Sequence, residues 1–315
     1  MIDYAGLFPP ADLSLDTAIQ NYSEYRNYED AWMLSRFIIP ASRLGELEPY
    51  KKTLFNEGEP FAFSILGRGT ETISEYEEQL HGLIHSVEDF HETHGNRVTT
   101  EVLEIKLPRE AVFANDTNLL FDVYAKTAEA LDQSALTPNY IFLEGYFEEN
   151  WKKDIRLLLE AMRNHNKNFD GDNVIETAFK LRCGGIDADM IPSVDKIAFT
   201  LNTARENNIA LKATAGLHHP IRQYADSVKA RMHGFFNVFG GGILAYAHDL
   251  TEKELIKVLQ EEDPEHFSFT DKGFQWKSRN VSNDEIMWLR KTALISFGSC
   301  SFDEPREDLQ KLGLL

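Results

Sequence analysis

Two short apolar runs carry lysines where a buried strand should carry none. Phe179-Lys180-Leu181-Arg182 and Ile209-Ala210-Leu211-Lys212-Ala213-Thr214 each alternate apolar and polar residues. Alternate side chains of a strand share a face. If Phe179, Leu181 and Leu211 pack outward, then Lys180, Arg182, Lys212 and Thr214 point the other way. The same parity sends Glu104 and Lys106 inward from Val102-Leu103-Glu104-Ile105-Lys106-Leu107, and Glu144 inward from Tyr140-Ile141-Phe142-Leu143-Glu144. Asp3, Arg36 and Ser64, in shorter runs, join them. Five cations (Arg36, Lys106, Lys180, Arg182, Lys212) thus face three carboxylates (Asp3, Glu104, Glu144). A charge removed from water costs several kcal/mol unless paired, so eight such positions imply a site or an ion-pair plug. The excess of cations suits two tasks. Arg182 and Arg36, with Lys106, can hold a carboxylate or phosphate. Like charges crowded together can also depress a lysine pKa until the amine becomes a nucleophile.

Histidines supply a second candidate group. His218 and His219 follow the run that carries Lys212, and His233 lies four residues before Asn237 in a helical pattern, so both face one side. With Glu144 or Cys183, His218, His219 and His233 could hold a metal. Alternatively one histidine caps a loop, another binds substrate, and His218 moves protons. His81, His85, His91 and His94 sit among acidic residues and read as a solvated face. Gly240-Gly241-Gly242 reads as close helix packing or a hinge.

The elements that must position these groups alternate. Strands are expected at Met1–Leu7, Ala31–Ile38, Phe61–Leu66, Thr100–Leu107, Tyr140–Glu144, Thr177–Arg182, Ile209–Ala215 and Ala293–Cys300. Helical patterns fall between them at Leu15–Tyr28, Ser42–Leu54, Ile73–His91, Asn118–Asp132, Trp151–Asn164 and Val194–Asn207. Eight strands joined by crossover helices predict a single α/β domain over 1–315, a (β/α)8 TIM-type barrel. Its charged positions then cluster at the C-terminal strand ends, where this fold keeps its active sites. About 75 residues separate the last two strands, where one helix would do. This insertion, about 218–292, is expected to hold helices at Tyr224–Ala247 and Thr251–Glu261 and a hairpin at Phe267–Trp276, and to form a lid.

Composition excludes other classes. The 315 residues carry a formal charge of −19 and no Lys/Arg-rich run, which argues against nucleic acid and anionic membranes as partners. No apolar stretch reaches the length of a transmembrane helix. Two cysteines make no disulfide framework, and a cytoplasmic location is expected.

The last three strands resemble those of class I aldolases of the deoxyribose-phosphate aldolase kind. The resemblance rests on Phe179-Lys180-Leu181-Arg182-Cys183-Gly184-Gly185, Leu211-Lys212-Ala213-Thr214-Ala215-Gly216 and Ile295-Ser296-Phe297-Gly298-Ser299-Cys300-Ser301, about a quarter of the chain. It implies Lys180 as the Schiff-base lysine, Lys212 as the neighbour that depresses its pKa, and Glu104 as a proton shuttle. It also implies that small residues such as Ser299 help to bind the substrate's anion. Arg182 stands where that family has a small residue, and the family's glycine pair after the seventh-strand lysine appears here as Ala215-Gly216 followed by Leu217-His218-His219-Pro220, so a different substrate is implied. As a whole, the chain resembles a bacterial family of uncharacterised proteins, from which no activity follows.

The expected function is therefore a cofactor-free, Schiff-base lyase of aldolase type acting on a small anionic metabolite. Its catalytic residues would be Lys180, Lys212, Glu104, Glu144 and His218. Substrate would be bound by Arg36, Arg182, Lys106, His219, His233, Asn237 and Ser299. The alternatives are a metal-dependent lyase or hydrolase built on His218, His219 and His233, and a non-catalytic barrel that binds a small acid. Homo-oligomerisation stays open.

Overall fold

The computed structural model describes residues 1–55, 58–168 and 175–315. Eight parallel strands close into a barrel: Ile2–Tyr4 (β1), Leu34–Pro40 (β2), Phe61–Leu66 (β3), Val98–Lys106 (β4), Tyr140–Glu144 (β5), Glu176–Arg182 (β6), Leu211–Thr214 (β7) and Leu294–Ser299 (β8). Neighbours in the barrel are neighbours in the chain, and β8 returns to pair with β1. The eight expected strands are all present, differing only at their ends. Helices cover the outside, and polar caps start them. Ser14 accepts from the Thr17 amide to open Leu15–Tyr25, Thr72 and Glu75 form a capping box before Ile73–His94, and Ser193 caps Val194–Asn207.

Parity holds along most strands. Leu103, Ile105, Phe179, Leu181, Leu211 and Ala213 belong to the large core between barrel and helices. Val102, Phe142, Ala178, Ala210 and Ile295 fill the barrel interior as a separate apolar cluster. Three register shifts interrupt the rule. Ile2 pairs with Leu34 but Tyr4 with Phe37, so β2 carries an extra residue there. Phe63 pairs with Thr100 but Ser64 pairs with Val102, so Glu101 is an extra residue in β4. Leu294 pairs with Leu211 and Phe297 with Ala213, so Ile295 and Ser296 share one place opposite β7.

The segment between β7 and β8 departs from expectation at its start. In place of a helix over Tyr224–Ala247 there is a small antiparallel ribbon, Gln223–Ala225 with Ala230–Met232. A π-helical turn at Phe236–Gly240 then leads into Gly241–His248. The chain passes close to Pro220 at Gly234, where a Cβ would lie 2.4 Å from the Pro220 carbonyl oxygen, so the position requires glycine. Glu252–Leu259 is helical as expected, and the hairpin gains a third strand, giving Phe267–Thr270, Gly273–Trp276 and Arg279–Ser282. This sheet packs on the outer helices. Gly240 accepts the Phe274 ring, which a Cβ there would meet at 2.6 Å, so the glycine run serves close packing. Among the described residues no helix is long and apolar enough to cross a membrane.

Candidate active site

Three strands bring opposite charges together inside the barrel. Lys212 Nζ of β7 lies 2.5 Å from Asp3 Oδ2 of β1 and 2.6 Å from Glu104 Oε1 of β4. Ser64 of β3 donates to Glu104 Oε1 at 2.5 Å, and Ser296 of β8 donates to Asp3 Oδ2 at 2.7 Å. All five side chains are buried. Lys180 of β6 is the register neighbour of Lys212. Its Nζ lies 2.9 Å from Glu104 Oε2 and 3.1 Å from Glu144 Oε2 of β5. Glu144 Oε1 is in turn 3.9 Å from Arg182 Nη1.

In the other direction, Arg36 joins Asp3 at 3.3 Å to Glu101 at 2.8 Å. A single file of charges therefore runs through the barrel: Glu101, Arg36, Asp3, Lys212, Glu104, Lys180, Glu144, Arg182. Signs alternate at every step, so each interior charge has an opposite charge on both sides, which is the condition for tolerable burial. The protonation equilibria follow. Burial acts to raise the Asp3 carboxyl, but Lys212 and Arg36 outweigh it and hold it well below the usual carboxylate range. Burial likewise opposes ionisation of Glu104, and Lys180 and Lys212 hold it at about 2. Burial acts to lower Lys180, yet Glu104 and Glu144 keep it above the ordinary lysine value.

The upper end of this file opens into a cavity of about 380 Å³ at the C-terminal ends of the strands. Lys106, Glu144, Lys180, Arg182 and His218 line it, with Glu104 at its base. Apolar walls come from Ile38, Leu66 and Met190 and from the Phe8-Pro9-Pro10 turn after β1. Arg182 leaves 48% of its side chain exposed, with its Nε donating to the Gly184 carbonyl at 3.0 Å. Lys106 Nζ lies over the Tyr146 ring at 4.2 Å. Two cations thus border the mouth while Lys180 stands deeper between carboxylates.

Other expected site residues go elsewhere. Arg36 points inward as parity requires, but it stands near the start of β2 and lines a cavity at the opposite, N-terminal mouth with Glu101 and Arg290. It anchors the charge file and does not reach the C-terminal cavity. His233 bonds the Pro192 carbonyl at 2.8 Å through Nε2, and burial drives its imidazole down to about 4. Asn237 donates to the carbonyls of Val258 and Glu261, both at 2.8 Å, and accepts from the Arg222 amide, so it staples the insertion. His219 Nδ1 pairs with Asp308 at 2.6 Å. The expected trio of His218, His219 and His233 is thereby split among three separate partners. Ser299 is buried, while its neighbours Gly298 and Cys300 line the cavity. Of the insertion, His218 lines it and the three-stranded sheet, expected as part of a lid, does not border it. In the helical histidine series, His81 and His85 are exposed, whereas His94 packs on Phe55 and Phe90.

No protein-family model matches the chain, and no curated protein matches it. A solved structure described as that of IOLI protein with a binding zinc atom is similar over 99% of this chain and 84% of that chain, at 12% identity and a TM-score of 0.36. The likeness is too distant to carry any residue across. What the chain can do must be read from its own side chains: an amine between two carboxylates, at the base of a small cavity edged by cations.

Proposed function

We propose that the protein is a lyase that makes or breaks a carbon–carbon bond in a small anionic carbonyl compound, with Lys180 as the amine that meets the carbonyl. The supporting observation is that Lys180 lines the cavity while Lys212, fully buried behind it, does not. Lys180 is therefore the nucleophile and Lys212 a positioning residue that holds Glu104. Arg182 and Lys106 take the substrate's anionic group at the mouth. Once Lys180 has lost its proton, Nζ adds to the carbonyl carbon, and the carbinolamine expels water to leave an iminium. The iminium takes up the electron pair of the bond between its α and β carbons, giving an enamine, as the hydroxyl on the β carbon gives its proton to Glu144 and becomes the carbonyl of the first product. Protonation of the enamine and hydrolysis by water release the second product and free Lys180.

The raised pKa of Lys180 means that the resting amine is an ammonium. The same observation favours an alternative in which the ammonium persists and neutralises an enolate formed when Glu144 removes a proton beside the carbonyl. Substitution tests the proposal. Lys180→Met is expected to reduce turnover by about a thousandfold or more with the barrel intact, and Arg182→Gln to raise KM more than it lowers kcat. Full turnover in both Lys180→Met and Lys212→Met would exclude either form of lysine chemistry.

A further inference from the structure

We infer that His218, Cys300 and Glu304 form a binding site for a borderline-soft divalent metal ion, zinc foremost, on the rim of the same cavity. The site does not depend on the chemistry assigned to Lys180. Its three residues come from neighbouring ends of the barrel. His218 follows β7 through a left-handed pair, Ala215 at φ 59° and Gly216 at φ 73°. Cys300 directly follows β8, and Glu304 lies in the first turn of the helix Asp303–Lys311. His218 Nδ1 is 3.6 Å from Cys300 Sγ and 3.5 Å from Glu304 Oε2, and the three ligand atoms all fall within 4.8 Å of one another.

Those separations are the edges of a coordination polyhedron. With Zn–S of about 2.3 Å and Zn–N and Zn–O of about 2.1 Å, a tetrahedron has an N···S edge of about 3.6 Å and an N···O edge of about 3.4 Å. The two edges that meet at His218 thus already have the right lengths. Glu304, with 52% of its side chain exposed, can rotate to adjust the third. A nitrogen, a thiolate sulfur and a carboxylate oxygen select zinc over magnesium or calcium, which favour all-oxygen sets. Three protein ligands leave a fourth position open. His218 and Cys300 both line the cavity, so that position faces it and can take an oxygen of the anionic substrate or a water.

The test is spectroscopic and needs no substrate. Protein stripped with a chelator is titrated with Co²⁺, which reports a thiolate ligand by a near-ultraviolet charge-transfer band and a tetrahedral site by intense visible bands. One equivalent is expected to produce both, and Zn²⁺ to abolish them by displacement. Cys300→Ser should lose the charge-transfer band and bind more than about a hundredfold more weakly, while Cys183→Ser, which alters the other thiol, keeps both. Glu304→Gln, at an exposed position that cannot threaten the fold, should weaken binding about tenfold and keep the thiolate band. Lys180→Met should bind Co²⁺ as the unaltered protein does, so failure here and failure of the lysine chemistry are separable. No band at excess metal, a band that survives Cys300→Ser, or unchanged affinity in Glu304→Gln would overturn the assignment.

Discussion

Lys212 has no route to water and two carboxylate partners, so its removal is the sharpest single perturbation available. Lys212→Met leaves Asp3 and Glu104 buried with one cation fewer, and is expected to cost about 3–5 kcal/mol in urea unfolding. The pH dependence has a definite sign. Asp3 and Glu104 are depressed below their unfolded values of about 3.9 and 4.3. The stability they contribute is present in full above about pH 5 and falls away as the pH drops toward 2. Lys180 behaves oppositely, because its folded pKa lies above the unfolded value of about 10.4. Its contribution is complete below about pH 10 and is lost on going higher. Urea midpoints across pH should therefore fall at both ends, and a flat acid limb would contradict the charge file.

Strand parity made Lys180, Lys212, Glu104 and Glu144 legible, since each sits in an unbroken alternation. It gave no reading of Glu101 or Ser296, because each lies at a bulge, which inverts parity and leaves no signature in a lone sequence. The contact of Cys300 with His218 spans 82 residues. No local pattern announces a meeting at that distance. Arg36 shows a subtler limit. Parity gave its direction correctly, but height along the barrel depends on where β2 starts, and the sequence suggested an earlier start than Leu34.

Among the elements, the loops after β6 and β7 hold the site by touching each other. A Cβ built on Gly216 would lie 2.8 Å from the Gly184 Cα, and Gly216 has a left-handed φ of 73°. Gly216→Ala is expected to cost roughly 1–3 kcal/mol from backbone strain alone, and to displace His218 from Cys300. Gly313→Ala, at φ 68° with open space around it, should cost distinctly less. Equal melting shifts for the two variants would mean that the loop contact contributes nothing. Strands and capped helices were readable here because their periodicity is dense. The ribbon at Gln223–Met232 was not, since apolar residues around it mimic a helix and the close approach of Gly234 to Pro220 is not a periodic signal.

At the scale of the whole molecule, the charged cavity belongs to the barrel, and the appended sheet packs apart from it. Phe274 and Val281 of that sheet are buried, and none of its residues lines the C-terminal cavity. Phe274→Ala should therefore lower stability by about 3–5 kcal/mol while leaving the reactivity of Lys180 untouched. A loss of reactivity in the folded variant would restore a lid-like role to the sheet. The formal charge of −19 belongs mainly to acidic outer helices, whereas the cavity mouth is edged by Arg182 and Lys106. An anionic substrate would thus pass a repelling exterior to reach an attracting mouth, and weaker binding at low ionic strength than at moderate salt would be the mark of that arrangement.

The central claim is that Lys180 meets a carbonyl, and borohydride trapping tests it most directly. The protein is incubated with a panel of small keto acids, aldehydes and sugar phosphates, reduced, and read by intact mass and peptide mapping. One stable adduct is expected, on Lys180, forming about tenfold faster for each unit of pH rise between 7 and 9 because the neutral amine is scarce there. It should vanish in Lys180→Met. No adduct with any compound across that range, or an adduct that maps away from Lys180 and survives its replacement, would contradict Schiff-base chemistry in this barrel.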